Sequence, residues 1–272
     1  MNIKKLLVRI LQIVLIVVIV YCGWQIGSYF YNRKRSDEDF EKVASIADSY
    51  VISKDSEESS EDLPKEKEID YKALMSRLQD QNSDCIAYII IDGTENKYPV
   101  VQSANNDYYL RRGFDKKHSM QGIPFADYRN KKDLTDQNTI IYGHTMYTGT
   151  VMFGILNKYF DQEFADKMPK TVTLVAPHGV FHYQIFSIAH VDADYDYRQP
   201  NLDDNKMVAH MNEMLKKSET DMGYKGEFKG SDHFITLSTC PTNQDLTKRV
   251  AVVGVLQKID TKDGEMPKGF EK

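Results

Sequence analysis

The sequence predicts a mainly β domain, a closed antiparallel or mixed barrel with peripheral helices, carried behind a single N-terminal transmembrane helix. Three observations carry this. Short apolar runs rich in β-branched and aromatic residues recur between Cys85 and Leu256, with turn residues between them. Helical spacing appears only in isolated stretches and no βαβ repeat is present, which argues against a doubly wound parallel sheet. Residues 10–30 run for 21 positions without a charge, and a helix of that length rises about 30 Å, enough to cross the hydrocarbon layer.

Taken in order, residues 1–9 are a short cytoplasmic start and residues 10–30 the span. Lys4, Lys5 and Arg9 precede it, and Arg33, Lys34 and Arg35 follow, so positive charge does not decide the orientation. Tyr21, Trp24, Tyr29 and Tyr31 suit an interfacial belt at the outer end. A cleavable signal peptide is the alternative, but no small-x-small site follows the run, and an uncleaved anchor is the reading adopted. Residues 31–69 form an acidic linker. Ser36 to Asp70 holds 13 acidic residues against four lysines and is too polar to fold alone, so a solvated stalk is expected. Phe40, Val43, Ala47 and Tyr50 have helical spacing and predict a short helix in its first half.

The folded domain is expected over 70–272. Tyr71, Leu74, Met75 and Leu78 mark one face of a short amphipathic helix. Cys85–Ile91 reads as a buried strand, Asp92-Gly93 as a turn and Tyr98–Gln102 as a second strand. Asn105–Arg112 reads as a loop or helical turn. Ile140–Tyr142, Thr171–Ala176, Phe181–Val191, Ile235–Ser238 and Val250–Leu256 complete the strands, with a hairpin turn at Pro177-His178-Gly179. The connection 192–232 is too long for a plain loop. Met207, Val208, Met211, Met214 and Leu215 predict a helix in it, with Asp203 or Asp204 as the cap.

Composition narrows the function. A net charge of −5 gives no basic face for nucleic acid. Cys22, Cys85 and Cys240 make no disulfide framework. The seven histidines lack metal-ligand spacing, so no zinc site is expected. Cys22 lies in the apolar run and Cys85 in a strand, which leaves Cys240 as the thiol with a chemical neighbourhood.

Cys240 ends the run Phe234-Ile-Thr-Leu-Ser-Thr-Cys240, and Arg249 opens the strand that follows. Upstream, Thr139-Ile-Ile-Tyr-Gly-His144 runs a strand out into a histidine. A thiol attacks as the thiolate and needs a base or a positive charge nearby. Histidine supplies the base and can later protonate a leaving amine, while arginine stays charged and can donate to an oxyanion. Each has a plainer reading alone: a buried filler cysteine, a turn histidine, an arginine on a solvated face.

Thr236-Leu-Ser-Thr-Cys240, Tyr142-Gly-His144 and Lys248-Arg249-Val together resemble the signature of the sortases, the cysteine transpeptidases of Gram-positive cell surfaces, and are most similar to class B. Tyr98-Pro-Val-Val-Gln102, Asn106-Asp-Tyr-Tyr-Leu110 and Asp127-Tyr-Arg-Asn130 fall in order as further class B landmarks, so the resemblance spans about Asp70 to Ile259. It implies a barrel of about eight strands, with Cys240 as nucleophile, His144 as general acid/base and Arg249 stabilising the oxyanion or holding the peptide backbone. Asn106 and Leu110 match the family's Asn-x-x-x-Leu groove pattern. Tyr197 falls in the insertion that walls the groove in class B, and Ser238 and Thr239 line the site.

The activity implied is cleavage of a C-terminal sorting signal of the Asn-Pro-x-Thr type after threonine, then transfer of the acyl group to a peptidoglycan amine from precursor or cross-bridge. Surface proteins would thereby be anchored to the wall by an enzyme on the outer face of the cell membrane. The partners expected are those surface proteins, the amine and membrane lipid around residues 10–30; no nucleic acid and no cofactor are expected. The competing readings are a pilus-polymerising sortase, a membrane-anchored cysteine peptidase that passes the acyl group to water, and a catalytically silent binding domain on a stalk.

Overall fold

A computed structural model describes residues 3–53, 67–145, 151–243 and 245–270. The N-terminal helix α1 runs unbroken over Ile3–Ser49. Its apolar half carries no buried residue among those described, and it is long and apolar enough to cross a membrane. The expectation of a solvated stalk is corrected in its first half. α1 continues past the apolar run and buries Val43 and Ala47 against the domain, while Phe40 meets the Tyr98 ring edge-on at 5.2 Å. Arg35 pairs with Asp115 at 2.7 Å, and Asp48 accepts from Lys97. The apolar positions foreseen at helical spacing therefore have a partner, which the polar composition around them obscured. Pro64 and most of the serine-rich second half lie outside the described residues.

Short strands β1 (Val51–Ser53) and β2 (Lys67–Ile69) pair antiparallel. Asp70 then caps α2 (Tyr71–Gln81), its Oδ1 accepting from Ala73 N at 3.2 Å. The predicted face, Tyr71, Leu74, Met75 and Leu78, is buried. The barrel strands follow: β3 (Cys85–Ile91), β4 (Lys97–Val101), β5 (Phe125–Ala126), β6 (Asn138–Tyr142), β7 (Thr171–Ala176), β8 (Gly179–Asp192), β9 (Phe234–Thr239) and β10 (Lys248–Asp260). They close in the order β10-β8-β7-β3-β4-β5-β6-β9. β4 with β5 and β6 with β9 are the parallel pairs, which makes the barrel mixed. Its centre is packed by residues such as Ile89, Val100, Leu174, Ile188, Ile235 and Leu237, and closure leaves no open edge to aggregate.

Two short helices flank the barrel. α3 (Gln162–Lys167) is capped by Asp161. α4 (Asp204–Lys217) in the insertion is capped by Asp203, whose carboxylate accepts from Lys206 N at 3.0 Å. Met207, Met211 and Met214 bury this helix against Phe186, Ala251 and Val253, on the outer face of β8 and β10. Asn105–Arg112 contains a 3₁₀ turn at Tyr108–Arg111.

Candidate active site

The barrel register brings three strand ends to one edge. β6 and β9 run parallel with Tyr142 opposite Ser238, so His144 and Cys240, two residues further along each chain, leave the barrel together. β10 is antiparallel to β9 with Val250 opposite Thr239, which sets Arg249 beside the same end. All three side chains are half-buried.

His144 is held by chain from the 3₁₀ turn: its Nε2 lies 2.9 Å from the Leu110 carbonyl oxygen. A carbonyl only accepts, so Nε2 carries the proton and the neutral ring keeps its lone pair on Nδ1. Burial lowers the His144 pKa below its ordinary 6.5, the Leu110 bond opposes this, and the charge of Arg111 adds to the lowering. His144 is therefore a neutral base at neutral pH. Two glycines permit the arrangement. A Cβ on Gly122 (φ +60°) would stand 2.7 Å from the Leu110 oxygen, and one on Gly143 would stand 2.6 Å from the Phe153 ring.

The Cys240 main chain is clamped. Thr145 Oγ1 donates to the Cys240 carbonyl at 2.6 Å. It also meets Thr239 Oγ1 at 2.8 Å, and since its one proton is spent on the carbonyl, Thr239 is the donor there. Asn157 Nδ2 reaches the same carbonyl at 3.4 Å, and its Oδ1 accepts from Thr242 N at 3.1 Å. Neither Thr145 nor Asn157 stood out in the sequence. Thr145 had only its place after His144, and Asn157 had no signal at all. Arg249 donates from Nη1 to Leu246 O at 3.0 Å and to Lys248 O at 2.6 Å. Those bonds fix the guanidinium at the start of β10. Asp245 accepts from Thr247 N and Oγ1 at 2.9 and 2.6 Å, as a loop-shaping residue does.

The residues expected to meet substrate divide in two. Leu110 and Asn106 are half-exposed, but the Asn106 side chain is engaged at both ends, donating to Asp127 Oδ2 at 3.2 Å and accepting from Tyr128 N at 3.0 Å. Ser238, Thr239 and Tyr197 are buried. The Tyr197 hydroxyl shares a 2.6 Å bond with Ser238 Oγ, and the Thr239 hydroxyl meets Thr145, so both hydroxyls are bonded inside the fold. Burial raises the Tyr197 pKa, while the Ser238 bond and the charges of Arg198 and Arg249 act against it. The guanidinium of Arg198 lies 4.8 Å over the Tyr197 ring, so stacking holds this polar residue in place.

A nucleophile, a base and a fixed cation at one barrel edge suit acyl transfer, and known proteins share the pattern. The family model for the sortase domain matches residues 89–257. Sortase B of Listeria monocytogenes is 32% identical over 94% of this chain and 99% of its own length. Sortase B of Staphylococcus aureus is 28% identical over 95% of this chain and 100% of its own. The solved Staphylococcus aureus sortase B–substrate complex superposes with a TM-score of 0.70 at 25% identity, covering 85% of this chain and 100% of that one. Similarity along nearly the whole chain, on a closed eight-strand barrel of the same kind, shows that the chain belongs to the sortase family, in its class B branch of cysteine transpeptidases.

Proposed function

We propose that Cys240 is the nucleophile, His144 the general acid/base and Arg249 the oxyanion or backbone-holding residue of a class B sortase that anchors surface proteins to the wall. The observation that supports this is the convergence of the ends of β6, β9 and β10 at one barrel edge, with the Nδ1 lone pair of His144 left for proton transfer. In the first half-reaction the Cys240 sulfur forms a bond to the threonine carbonyl of an Asn-Pro-x-Thr type signal. His144 Nδ1 takes the thiol proton as that bond forms, the amide C–N bond breaks, and the same proton passes to the departing amine. In the second, a peptidoglycan amine attacks the thioester as its proton passes to His144 Nδ1, the C–S bond breaks, and His144 returns that proton to the sulfur to restore the thiol. Leu110 and Asn106 stand at the groove mouth, with Tyr197, Ser238 and Thr239 bracing the strand end from behind. Residues 10–30 anchor the enzyme as a single span, 31–69 link it and 70–272 form the catalytic domain on the outer face.

The test is intact mass of the full chain in detergent, incubated with Asn-Pro-x-Thr and Leu-Pro-x-Thr-Gly peptides. An adduct equal to the peptide cut after threonine is expected on the parent protein and not on Cys240→Ala, and the Asn-Pro-x-Thr peptide should give more of it. A folded parent with no adduct from any peptide would reject the assignment. Adding an amine separates transfer from hydrolysis: the product should become the amine adduct.

A further inference from the structure

The walls around His144 and Cys240 are tied together by an ion pair between a buried carboxylate and an exposed arginine that takes no part in the bond changes above. The Asp127 side chain has 0% exposure and lies against Arg129. Its Oδ1 accepts from Arg129 N and Nε, each at 2.9 Å. Its Oδ2 accepts from Arg129 Nη2 at 2.8 Å, Tyr142 OH at 2.7 Å and Asn106 Nδ2 at 3.2 Å. Arg129 Nη2 goes on to the Arg198 carbonyl at 2.9 Å. A buried carboxylate is costly unless its lone pairs are satisfied, and here they are: these bonds hold Asp127 below the ordinary carboxylate range although burial pushes it up.

Each partner belongs to a different wall. Asn106 begins the segment that ends at Leu110, whose carbonyl holds His144. Tyr142 precedes His144 by two residues on β6. Arg198 follows Tyr197, whose hydroxyl braces Ser238 on the cysteine strand. The guanidinium fork is what allows one residue to grip a carboxylate at two points and a carbonyl at a third.

We infer that Asp127 and Arg129 are positioning residues of the transpeptidase, holding segments 106–110, 142–144 and 197–198 in one register and so setting the width of the peptide groove. This rests on the site reading given above. Catalytic geometry loses rate steeply with displacements near an ångström, on the order of a hundredfold, so slack between these walls should appear in the reaction before it appears in the fold. Lysine at 129 can reach Asp127 or the Arg198 carbonyl but not both.

The experiment compares the full-length parent, Arg129→Ala, Arg129→Lys, Tyr197→Ala and the Arg129→Ala/Tyr197→Ala double variant in detergent, with an amine acceptor and the peptide that acylates the parent. Cys240 alkylation by iodoacetamide is followed in parallel through the mass of its tryptic peptide. Arg129→Ala is expected to raise peptide KM by about tenfold or more with Cys240 alkylation unchanged, Arg129→Lys to fall between it and the parent, and the double variant to be no worse than Tyr197→Ala alone. Peptide KM within about twofold of the parent in Arg129→Ala, or additive losses in the double variant, would overturn the proposal. A parent that forms no acyl-enzyme would instead remove the site reading on which it stands.

Discussion

At the scale of single residues, the site depends on who holds the proton and who holds the main chain. Burial keeps His144 neutral, with its pKa below 6.5. The acid limb of kcat/KM should therefore lie below that value, and a pH–rate profile with its acid limb well above it would show that another group limits the reaction. Thr145 clamps the Cys240 carbonyl at 2.6 Å. Thr145→Val keeps the shape and removes the donor, leaving that oxygen to Asn157 alone. We expect kcat/KM to fall by about tenfold with the thermal midpoint lowered only slightly, in line with roughly 1 kcal/mol for a typical hydrogen bond. Gly122 is the third lever, because a methyl there presses on the Leu110 oxygen from a left-handed backbone. Gly122→Ala should cost about 1–3 kcal/mol in denaturant unfolding and reduce activity by more than that loss of folded protein explains. Cys85 is a control: burial pushes its thiol up to about 12, so alkylating reagents should leave it untouched in the folded enzyme.

At the scale of elements, α1 divides in two. Its apolar half has no buried residue among those described, while Val43 and Ala47 are among the core residues of the domain. A chain beginning at residue 36 keeps that packing and one beginning at residue 70 loses it. The shorter chain should unfold at lower denaturant, by about 2–3 kcal/mol from the apolar surface uncovered, and equal midpoints would show that the docking is energetically idle. The surface pair Arg35–Asp115 is half-exposed on both sides and should contribute less than about 1 kcal/mol. Most strands and both longer domain helices were legible in the sequence, since alternation, continuous apolar runs and cap residues are local signals. β5 was not, because Phe125–Ala126 is two residues long and has no period to read. The docked half of α1 was read as solvated, because four apolar residues among many charges do not disclose a partner.

At the scale of the whole molecule, two half-buried histidines contribute to the acid response. Burial lowers both His144 and His178 below 6.5. A ring whose pKa is depressed on folding takes up protons more readily when unfolded, so the stability it confers is complete above about pH 6.5 and is lost as pH falls through the folded value. Asp127, held below its ordinary 3.8, keeps its contribution until far more acid conditions. Thermal midpoints should be level from about pH 8 to 7 and decline below about 6.5. His178→Phe should soften that decline, and a midpoint indifferent to pH over this range would contradict the assignment.

By itself the sequence determined the class of fold, the apolar N-terminal helix and the family, along with Cys240, His144 and Arg249 as candidates. Each of these is written in contiguous residues: strand runs, a charge-free stretch, and short motifs in order. The tertiary structure alone decided the rest. Which nitrogen of His144 carries the proton follows from the Leu110 carbonyl 34 residues away. The clamp on Cys240 comes from Thr145, 95 residues upstream, and the Asp127–Arg129 tie reaches Arg198 across 69 residues. Such contacts leave no periodic trace, because the partners are set by barrel closure and strand register rather than by neighbours in the chain.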